Sequence, residues 1–320
     1  MTTRTLGRTG LVTSDIGLGT WAFASQIYGD VDASDAHATI RAALDAGVTF
    51  FDTAPLYGDA ERDGISESIL GEALGGDRQR VLISTKFGRY ATDGAAPNFH
   101  AQRARESVEG SLRRLGTDHV DVLFFHSPFG PDDIHDDVWA ELAALKDEGK
   151  VRVIGHSISK FEDTEGMARA WAAERRIDVV QVVYSLMNRQ ATGLIADLAA
   201  DGVGVVARES LANGFLSGAI TLDTTFNPGH LNARYPREEI EARVAYADRL
   251  TDLLVRDDVA TLPQAAFRWV LDDPNVSLVL SGASTVDQLH DSAAASDAAP
   301  FSPAEHARAD ALHPRDFQAA

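Results

Sequence analysis

Four residues that can hold or transfer a proton lie where three apolar segments end. They are Asp52, Tyr57, Lys86 and His126. The segments 48–54, 81–87 and 120–127 are rich in β-branched and aromatic residues without alternation, which is typical of parallel strands covered on both faces. Because the carboxyl ends of parallel strands meet on one side of a sheet or barrel, we expect the four side chains to lie close together.

Together these residue types suit the reduction of a carbonyl group. A carbonyl that accepts hydride becomes an alkoxide, so the site needs a general acid of tuned pKa. Tyr57 can serve if the Lys86 ammonium favours the tyrosine anion. Asp52 would pair with Lys86 and compensate its burial, and a neutral His126 would polarise the carbonyl by donating a hydrogen bond. The set is therefore chemically complete.

Each residue taken singly also has a purely structural interpretation. Asp52 could cap a helix or form a turn, Tyr57 could be a surface ring, and His126 could be a satisfied core histidine. Lys86 is the hardest to explain in this way, because an ammonium in an apolar strand needs a partner. The occurrence of all four at strand ends favours the functional interpretation.

Strand and helix patterns alternate along the chain. We predict a short hairpin over 5–11, with the turn at 7–10, and an irregular stretch over 213–236. The predicted strands begin at 16 and continue at 48–54, 81–87, 120–127, 151–157, 179–185, 203–208 and 276–281. The predicted helices are 35–46, 66–74, 101–115, 136–148, 162–174, 191–200, 238–255, 263–272 and 286–295, with a tail helix after Pro300 and Pro303. Eight strands, each followed by helix and without a linker, predict a (β/α)8 TIM barrel in a single domain over 1–320.

A doubly wound sheet is the second interpretation. Its support is the segment 17–22, which fits the dinucleotide-binding pattern G-x-G-x-x-A. Trp21 and Phe23 are bulky where a pyrophosphate turn needs bare backbone, and no helix pattern begins before about Ala33. The segment 202–207 fits the same pattern while starting a strand, so we discard both matches.

Composition excludes several classes of function. Lys and Arg number 29 against 48 Asp and Glu, and the resulting net charge of −19 argues against a nucleic-acid or anionic membrane partner. The absence of cysteine removes disulfides, thiolate metal sites and cysteine nucleophiles. The first ten residues lack the apolar core of a signal peptide, and no apolar run approaches a membrane span. We expect a soluble cytoplasmic protein.

Seven segments, in order and across nearly the whole chain, resemble the sequence blocks of the aldo-keto reductases, nearer the bacterial and potassium-channel-beta-subunit-like branches. They are GLGTW (17–21), FFDTAPLYG (50–58), SESILGEAL (66–74), STKFG (84–88), HSP (126–128), QVVYSLMNR (181–189) and LVLSGASTVDQL (278–289). The resemblance implies a TIM barrel and NAD(P)-dependent reduction of a small carbonyl substrate or oxidation of an alcohol. It also implies that Asp52, Tyr57, Lys86 and His126 are catalytic, with Tyr57 as general acid and base.

The same resemblance implies a set of cofactor contacts. Ser157 and Gln181 would hold the nicotinamide carboxamide, and Tyr184 would stack on the ring. The reacting end would be flanked by Thr20 and Trp21, with Asp52 beside them. The phosphates would meet Ser210 and Leu211, with Arg208 and Arg234 as counter-charges. The adenosine half would be surrounded by Gly282, Ser284, Gln288, Asp291 and Ser292.

The chain departs from the family pattern at several of these positions. His156 and Ile158 stand where the family commonly has valine and asparagine, and Ser292 replaces an adenine-contacting asparagine. No arginine or lysine lies between Ser281 and Ser292, where many relatives hold the 2′-phosphate. Family habit favours NADP as the cofactor, NAD remains possible, and the missing cation predicts weak discrimination between the two.

Other classes fit the residues less well. A metal hydrolase is disfavoured because no His-x-His follows the first strand, and the cluster 135–137 is more simply a helix cap. A Schiff-base lyase using Lys86 would have no need of Tyr57. A sugar or other alcohol dehydrogenase running in the oxidative direction stays open, as does a non-catalytic dinucleotide-sensing subunit.

Five aromatic residues that follow strand ends are predicted to wall the substrate pocket. They are Trp21, Phe23, Phe87, Tyr90 and Phe129. Such a wall suits a planar or apolar aldehyde or ketone, and sugar rings also stack on aromatic side chains.

Overall fold

Long β-branched and aromatic runs form strands here because they are buried on both faces, and helices cover their outer side. The computed structural model describes residues 1–24, 31–227, 230–315 and 317. The predicted irregular stretch 213–236 therefore includes two residues, Pro228 and Gly229, that lie outside the described part.

The strands are short, and α-helices connect the successive strands from the third to the tenth. In chain order the strands are β1 Thr3–Thr5, β2 Val12–Ser14, β3 Ile16–Gly19, β4 Phe50–Asp52, β5 Leu82–Phe87, β6 Val120–His126, β7 Val151–Ser157, β8 Val179–Val183, β9 Gly204–Arg208 and β10 Leu278–Ser281. The helices are α1 Ala33–Asp45, α2 Ile65–Leu74, α3 Ala101–Leu115, α4 Val138–Asp147, α5 Phe161–Ala173, α6 Thr192–Ala200, α7 Arg237–Leu254, α8 Leu262–Leu271, α9 Val286–Ala294 and α10 Pro303–Leu312.

Strands β3 to β10 form a closed parallel barrel in chain order, and β10 pairs with β3 to close it. Each barrel strand is followed by helix, with α7 and α8 together between β9 and β10. The predicted TIM barrel with an N-terminal hairpin is confirmed. That residues 1–320 form a single domain stays a prediction.

The hairpin differs from its predicted bounds. Its strands are β1 and β2, which flank the predicted segment, and a 3-10 turn over Gly7–Thr9 occupies the middle. The reason is burial: Leu6 and Leu11, at the two ends of that middle part, are almost fully buried among side chains of the barrel interior. Residues 6–11 therefore close the amino-terminal end of the barrel instead of pairing as strands.

The other predicted elements lie at or near their observed bounds. The helix 101–115 and the strand 151–157 match at both ends. The strand predicted over 48–54 is shorter, because the chain turns after Asp52 and the Tyr57 amide donates to the Ala54 carbonyl at 3.0 Å.

Two apolar layers hold the structure together. The larger lies between the barrel and the helices. The smaller fills the barrel interior and comprises Leu6, Leu11, Phe50, Val122, Phe124, Val153, Val179, Val206, Leu278 and Leu280. No helix in the described ranges is both long and apolar enough to cross a bilayer.

Replacing Leu6 with alanine tests the closure of the barrel end. Leu6 has no exposed surface, so Leu6→Ala should lower the free energy of unfolding by about 2–5 kcal/mol, the usual cost of such a cavity. Urea denaturation measures the change. Val12→Ala, in the same hairpin but 59% exposed, is the control and should change stability by less than about 0.5 kcal/mol. Equal effects of the two would contradict the role of residues 6–11.

Candidate functional site

Lys86 is the centre of a polar cluster at the carboxyl end of the barrel. Its Nζ donates to Asp52 Oδ2 at 2.6 Å, to the Thr53 carbonyl at 2.9 Å and to Tyr57 Oη at 3.0 Å. The Lys86 side chain is only 1% exposed. All three protons of the ammonium therefore have an acceptor, which is the condition for burying such a charge.

The carboxylate of Asp52 is also fully engaged. Oδ1 accepts from Ser84 Oγ at 2.7 Å and from Gln181 Nε2 at 3.0 Å, while Oδ2 faces Lys86. Ser157 Oγ in turn donates to Gln181 Oε1 at 3.0 Å. A continuous buried network thus links strands β4, β5, β7 and β8.

Strand register brings these residues together. Asp52 pairs with Ser84, and His126 pairs with Ser157, which pairs with Gln181. Residues directly opposite one another point to the same side of a sheet, here the barrel interior. Phe50 and Phe124 lie two residues before Asp52 and His126 on the same strands, and their side chains belong to the apolar cluster that fills the barrel interior. The polar network therefore rests on a dry apolar layer.

Burial and the neighbouring charges set the proton affinities of Tyr57 and Lys86. Burial raises the pKa of Tyr57 above its ordinary value, although the Lys86 ammonium opposes this shift. Burial alone would lower the pKa of Lys86, but the charge of Asp52 and the contact with Tyr57 outweigh it and raise that pKa. We expected the ammonium to lower the pKa of Tyr57. It does act in that direction, and desolvation is the larger effect.

His126 stands edge-on to Tyr57, with ring centroids 5.8 Å apart. Burial, reinforced by the positive charges of Lys86, Arg89 and Arg208, holds the pKa of His126 well below its ordinary value. Both effects favour the neutral form of the imidazole.

Two residues of this cluster were missed by sequence reasoning. Ser84 and the Thr53 carbonyl bind Asp52 and Lys86 directly. A signal for Ser84 was present, because it lies two positions before Lys86 in the same strand and so points to the same side. Nothing in the sequence marked the backbone of Thr53.

The loop after β9 combines cationic and backbone donors. Arg208 Nη2 donates to the Ile158 carbonyl at 2.9 Å, and Nη1 contacts Glu209. The buried Nε finds no hydrogen-bond partner within the part of the chain that the structure describes. Glu209 and Asn213 both have left-handed backbone, with φ of 55°. Left-handed residues in such a loop direct successive N–H groups toward one point, which is a common way to bind anions.

The predicted adenosine residues lie at the start of α9. Gln288 Oε1 accepts from the Ser284 amide at 2.9 Å, and Ser292 Oγ accepts from Ser281 Oγ at 2.9 Å. Asp291 accepts from Gln264 Nε2 at 2.7 Å and from Thr261, so it is tied to the start of α8. Their roles toward a nucleotide stay predictions.

The remaining predicted cofactor residues fall into buried and exposed groups. Thr20 and Ser210 are buried, and their hydroxyls donate to the carbonyls of Asp52 and Tyr184. Trp21 and Leu211 are partly buried, and Gly282 is exposed. Tyr184 is buried against Trp269, with centroids 5.2 Å apart. Arg234 is exposed and donates to Tyr235 Oη at 2.8 Å.

The prediction that aromatic residues wall the substrate pocket is wrong for Phe87 and Tyr90. Phe87 is fully buried against Phe99 and Phe125 in the layer between barrel and helices. The reason is the alternation of strand side chains: since Lys86 points inward, Phe87 points outward. Tyr90 is buried as well and its Oη bonds to Ser107 Oγ of α3 at 2.7 Å.

A cavity of about 250 Å³ lies beside the start of α9. It is lined by Asp35, Ala38, Thr285, Val286 and Asp287. Two of these residues are carboxylates, and none is a cation. Within the described ranges no group of three His, Cys, Asp or Glu side chains is arranged to hold a metal ion.

Comparison with known proteins places this geometry in a family. The family model described as the aldo/keto reductase family matches residues 15–314. Among curated relatives, the aldo-keto reductase YhdN of Bacillus subtilis is 35% identical over 88% of this chain and 84% of its own length. The NADH-specific methylglyoxal reductase of Escherichia coli is 31% identical over 91% of this chain and 92% of its own. The solved glycerol dehydrogenase of Gluconobacter oxydans is 27% identical, covers 97% of this chain and 94% of its own, and superposes with a TM-score of 0.79.

His156 lies next to the network but on the other face of β7. It is fully buried, and its ring meets Trp171 edge-on at 4.9 Å. Burial lowers the pKa of His156 to about 3. In the unfolded chain this histidine is protonated below about pH 6.5, whereas in the folded protein it stays neutral. The free energy of unfolding therefore decreases as the pH falls below about 6.5.

Replacing His156 with valine, the residue the family commonly has there, should remove this acid sensitivity. On lowering the pH from 8 to 5.5, the variant should gain about 1.4 kcal/mol relative to the wild-type protein. Urea denaturation at both pH values measures the difference. His290→Val, which replaces a histidine that is exposed in the folded protein, is the control. The same pH dependence in wild type and His156→Val would show that His156 is not the residue responsible.

Proposed function

The chain belongs to the aldo/keto reductase family, and from this premise we propose that it reduces an aldehyde or ketone with a nicotinamide dinucleotide. Family membership makes it an oxidoreductase that acts on carbonyl or alcohol groups. The observation that carries the finer proposal is the buried contact of Lys86 with both Asp52 and Tyr57, at 2.6 and 3.0 Å.

Tyr57 is the general acid in this proposal. Its raised pKa keeps the phenol protonated at neutral pH, ready to donate to the oxygen that gains negative charge. As the proton leaves, the Lys86 ammonium at 3.0 Å stabilises the phenolate. Asp52 keeps the ammonium charged and in place, and the neutral His126 polarises the carbonyl.

The residues at the ends of β7 to β10 suit a dinucleotide. Ser157 offers a hydroxyl and Gln181 an amide to a carboxamide, and the N–H groups around Glu209 and Asn213 suit a pyrophosphate. The start of α9 offers helix N–H groups of the kind that bind phosphate-bearing ligands. When bound, the nicotinamide supplies or accepts hydride at the substrate carbon.

The reverse reaction is the second candidate. The Lys86 ammonium can also stabilise Tyr57 as the base that removes a proton from an alcohol. Similarity to a solved glycerol dehydrogenase favours this direction for a polyol or sugar substrate. Turnover of a substrate panel in both directions decides between the two.

Removing the Tyr57 hydroxyl should abolish turnover. We expect Tyr57→Phe to lower kcat by about 10² or more, because the general acid acts in the transition state, and to leave cofactor affinity within about threefold. Tyr90→Phe is the matched control, since its hydroxyl bonds to Ser107 of α3, and it should retain activity within about fivefold. Activity of Tyr57→Phe equal to that control would remove Tyr57 from the role. A wild-type protein that binds NADPH or NADH but reduces no aldehyde would instead support a sensing subunit.

The cofactor preference should be weak. Asp35 and Asp287 line the cavity beside the predicted adenosine residues, and their charges oppose a 2′-phosphate, so we expect NADH and NADPH to bind within about tenfold of each other. Asp287→Asn should tighten NADPH about threefold relative to NADH. Fluorescence titration with both dinucleotides measures this, and Asp147→Asn, at an exposed site ending α4, is the control. Wild-type protein binding NADPH a hundredfold more tightly would contradict the proposal and point to a cation such as Arg234.

A further inference from the structure

Arg89 lies at the mouth of the proposed active site. It follows the end of β5, the strand that carries Lys86, by two residues. The residue is half-buried, and the strand ends of a TIM barrel are where substrates are bound. The reaction proposed above does not use it.

The loop that carries Arg89 has a fixed shape. Gly88 has a φ of 95°, and a side chain there would meet the Phe99 ring at 2.1 Å. The Asn98 amide donates to the Gly88 carbonyl at 2.8 Å, and Arg89 Nε donates to the Ala95 carbonyl at 2.8 Å. The guanidinium is therefore held by one edge.

The loop after β6 covers the flat face of this guanidinium. Its centre lies 5.0 Å from the centroid of the Phe129 ring, a cation–π distance. Phe129 is 55% exposed, which is unusual for a large apolar residue of this chain. The contact joins the loop after β5 to the loop after β6. Strand β5 carries Lys86 near its end, and strand β6 ends at His126.

Arg89 has no carboxylate partner among the described residues. The two acidic residues whose charges it feels most, Asp133 and Asp93, are engaged elsewhere. Asp133 accepts from the Phe129 amide at 2.6 Å, and Asp93 pairs with Arg103. The terminal nitrogens of Arg89 thus keep N–H groups that no described acceptor uses, and the charges of Asp133 and Asp93 offset the burial of the guanidinium only in part.

Arg89 lies far from the proposed phosphate contacts of the cofactor. In the ring of eight strands, β5 and β6 stand four positions from β9 and β10, which is the opposite side of the barrel. It lies instead beside the catalytic groups, because it follows the strand that carries Lys86 and packs on Phe129, three residues after His126. A ligand that meets Arg89 is therefore the substrate.

We propose that Arg89 binds an oxyanion of the substrate, so that the protein selects carbonyl compounds carrying a carboxylate or phosphate over neutral ones. The inference rests on the proposed function and names its substrate class. A guanidinium held at one edge and stacked on a ring presents its remaining N–H groups as a fork, which matches the geometry of carboxylate and phosphate oxygens. Such a group would accept hydrogen bonds from the unused donors and would supply the direct counter-charge that no described carboxylate provides.

Matched substrates test the proposal. The carboxylate pair is 4-carboxybenzaldehyde and its neutral methyl ester, and the phosphate pair is glyceraldehyde 3-phosphate and glyceraldehyde. For each pair the readout is the ratio of kcat/KM for the anion to that for the neutral compound. We expect a ratio above one for at least one pair, a fall of about tenfold or more in Arg89→Met, and a partial fall in Arg89→Lys, which keeps the charge but loses the fork.

Arg62→Met is the control variant. Arg62 is exposed and lies at the same end of the barrel, between β4 and α2. Its replacement by methionine removes the same charge as Arg89→Met. Its ratios should stay within about twofold of the wild-type values, and salt should weaken the preference for the anion in wild type but not in Arg89→Met. Equal falls in Arg62→Met and Arg89→Met would overturn the proposal, because they would reflect only net charge.

The pairs also separate this inference from the proposed function. If the neutral aldehydes are reduced and no pair shows a preference for the anion, the role of Arg89 is wrong and the reductase function stands. If none of the four compounds reacts, calorimetry of the protein with cofactor and 4-carboxybenzaldehyde decides. Binding that weakens about tenfold or more in Arg89→Met supports the oxyanion site without the reaction, and unchanged or absent binding overturns it.

Discussion

The site depends on one buried ion pair, that of Lys86 with Asp52. Two charges removed from water are costly, and their attraction repays the cost only when every remaining donor and acceptor is satisfied. Here the Thr53 carbonyl and the Tyr57 hydroxyl accept the remaining hydrogen bonds of the ammonium. Ser84 and Gln181 donate hydrogen bonds to the carboxylate. These partners come from several strands, so the pair is stable only in the closed barrel. The Asp52 carboxylate also raises the pKa of Lys86 and so keeps the ammonium charged beside Tyr57. The same ion pair therefore stabilises the site and supplies the charge that our proposed mechanism requires.

The layers beneath the pair keep it dry. The interior of the barrel is filled by apolar side chains of six strands, and Leu6 and Leu11, between β1 and β2, close its amino-terminal end. These apolar side chains separate the polar network from the amino-terminal end of the barrel. A low local polarity strengthens every interaction of Lys86 and explains why His126 remains neutral.

The proposals assign chemistry and selectivity to different parts of the chain. The groups proposed to transfer the proton lie on or directly after strands, where hydrogen bonding between strands fixes them. Arg89, Phe129 and the start of α9 lie on loops or a helix end outside the barrel ring, where residues can change without disturbing the ion pair. Such a separation is a general property of TIM barrels. The residues that we propose to set the substrate and cofactor preferences therefore lie outside the hydrogen-bonded network of Lys86 and Asp52.

The sequence by itself determined the order of strands and helices and the residues at the strand ends. It also marked Lys86 as needing a partner. Both faces of an apolar strand are buried, and a buried ammonium must be paired with an acceptor. Side-chain direction within a strand was determined as well, and counting from Lys86 would have placed Ser84 inward and Phe87 outward. Tertiary structure alone decided the balance that raises the pKa of Tyr57, the shape of residues 6–11 and the meeting of Arg89 with Phe129. These depend on burial and on loops distant in the chain, which follow no periodic pattern and meet only when the barrel closes.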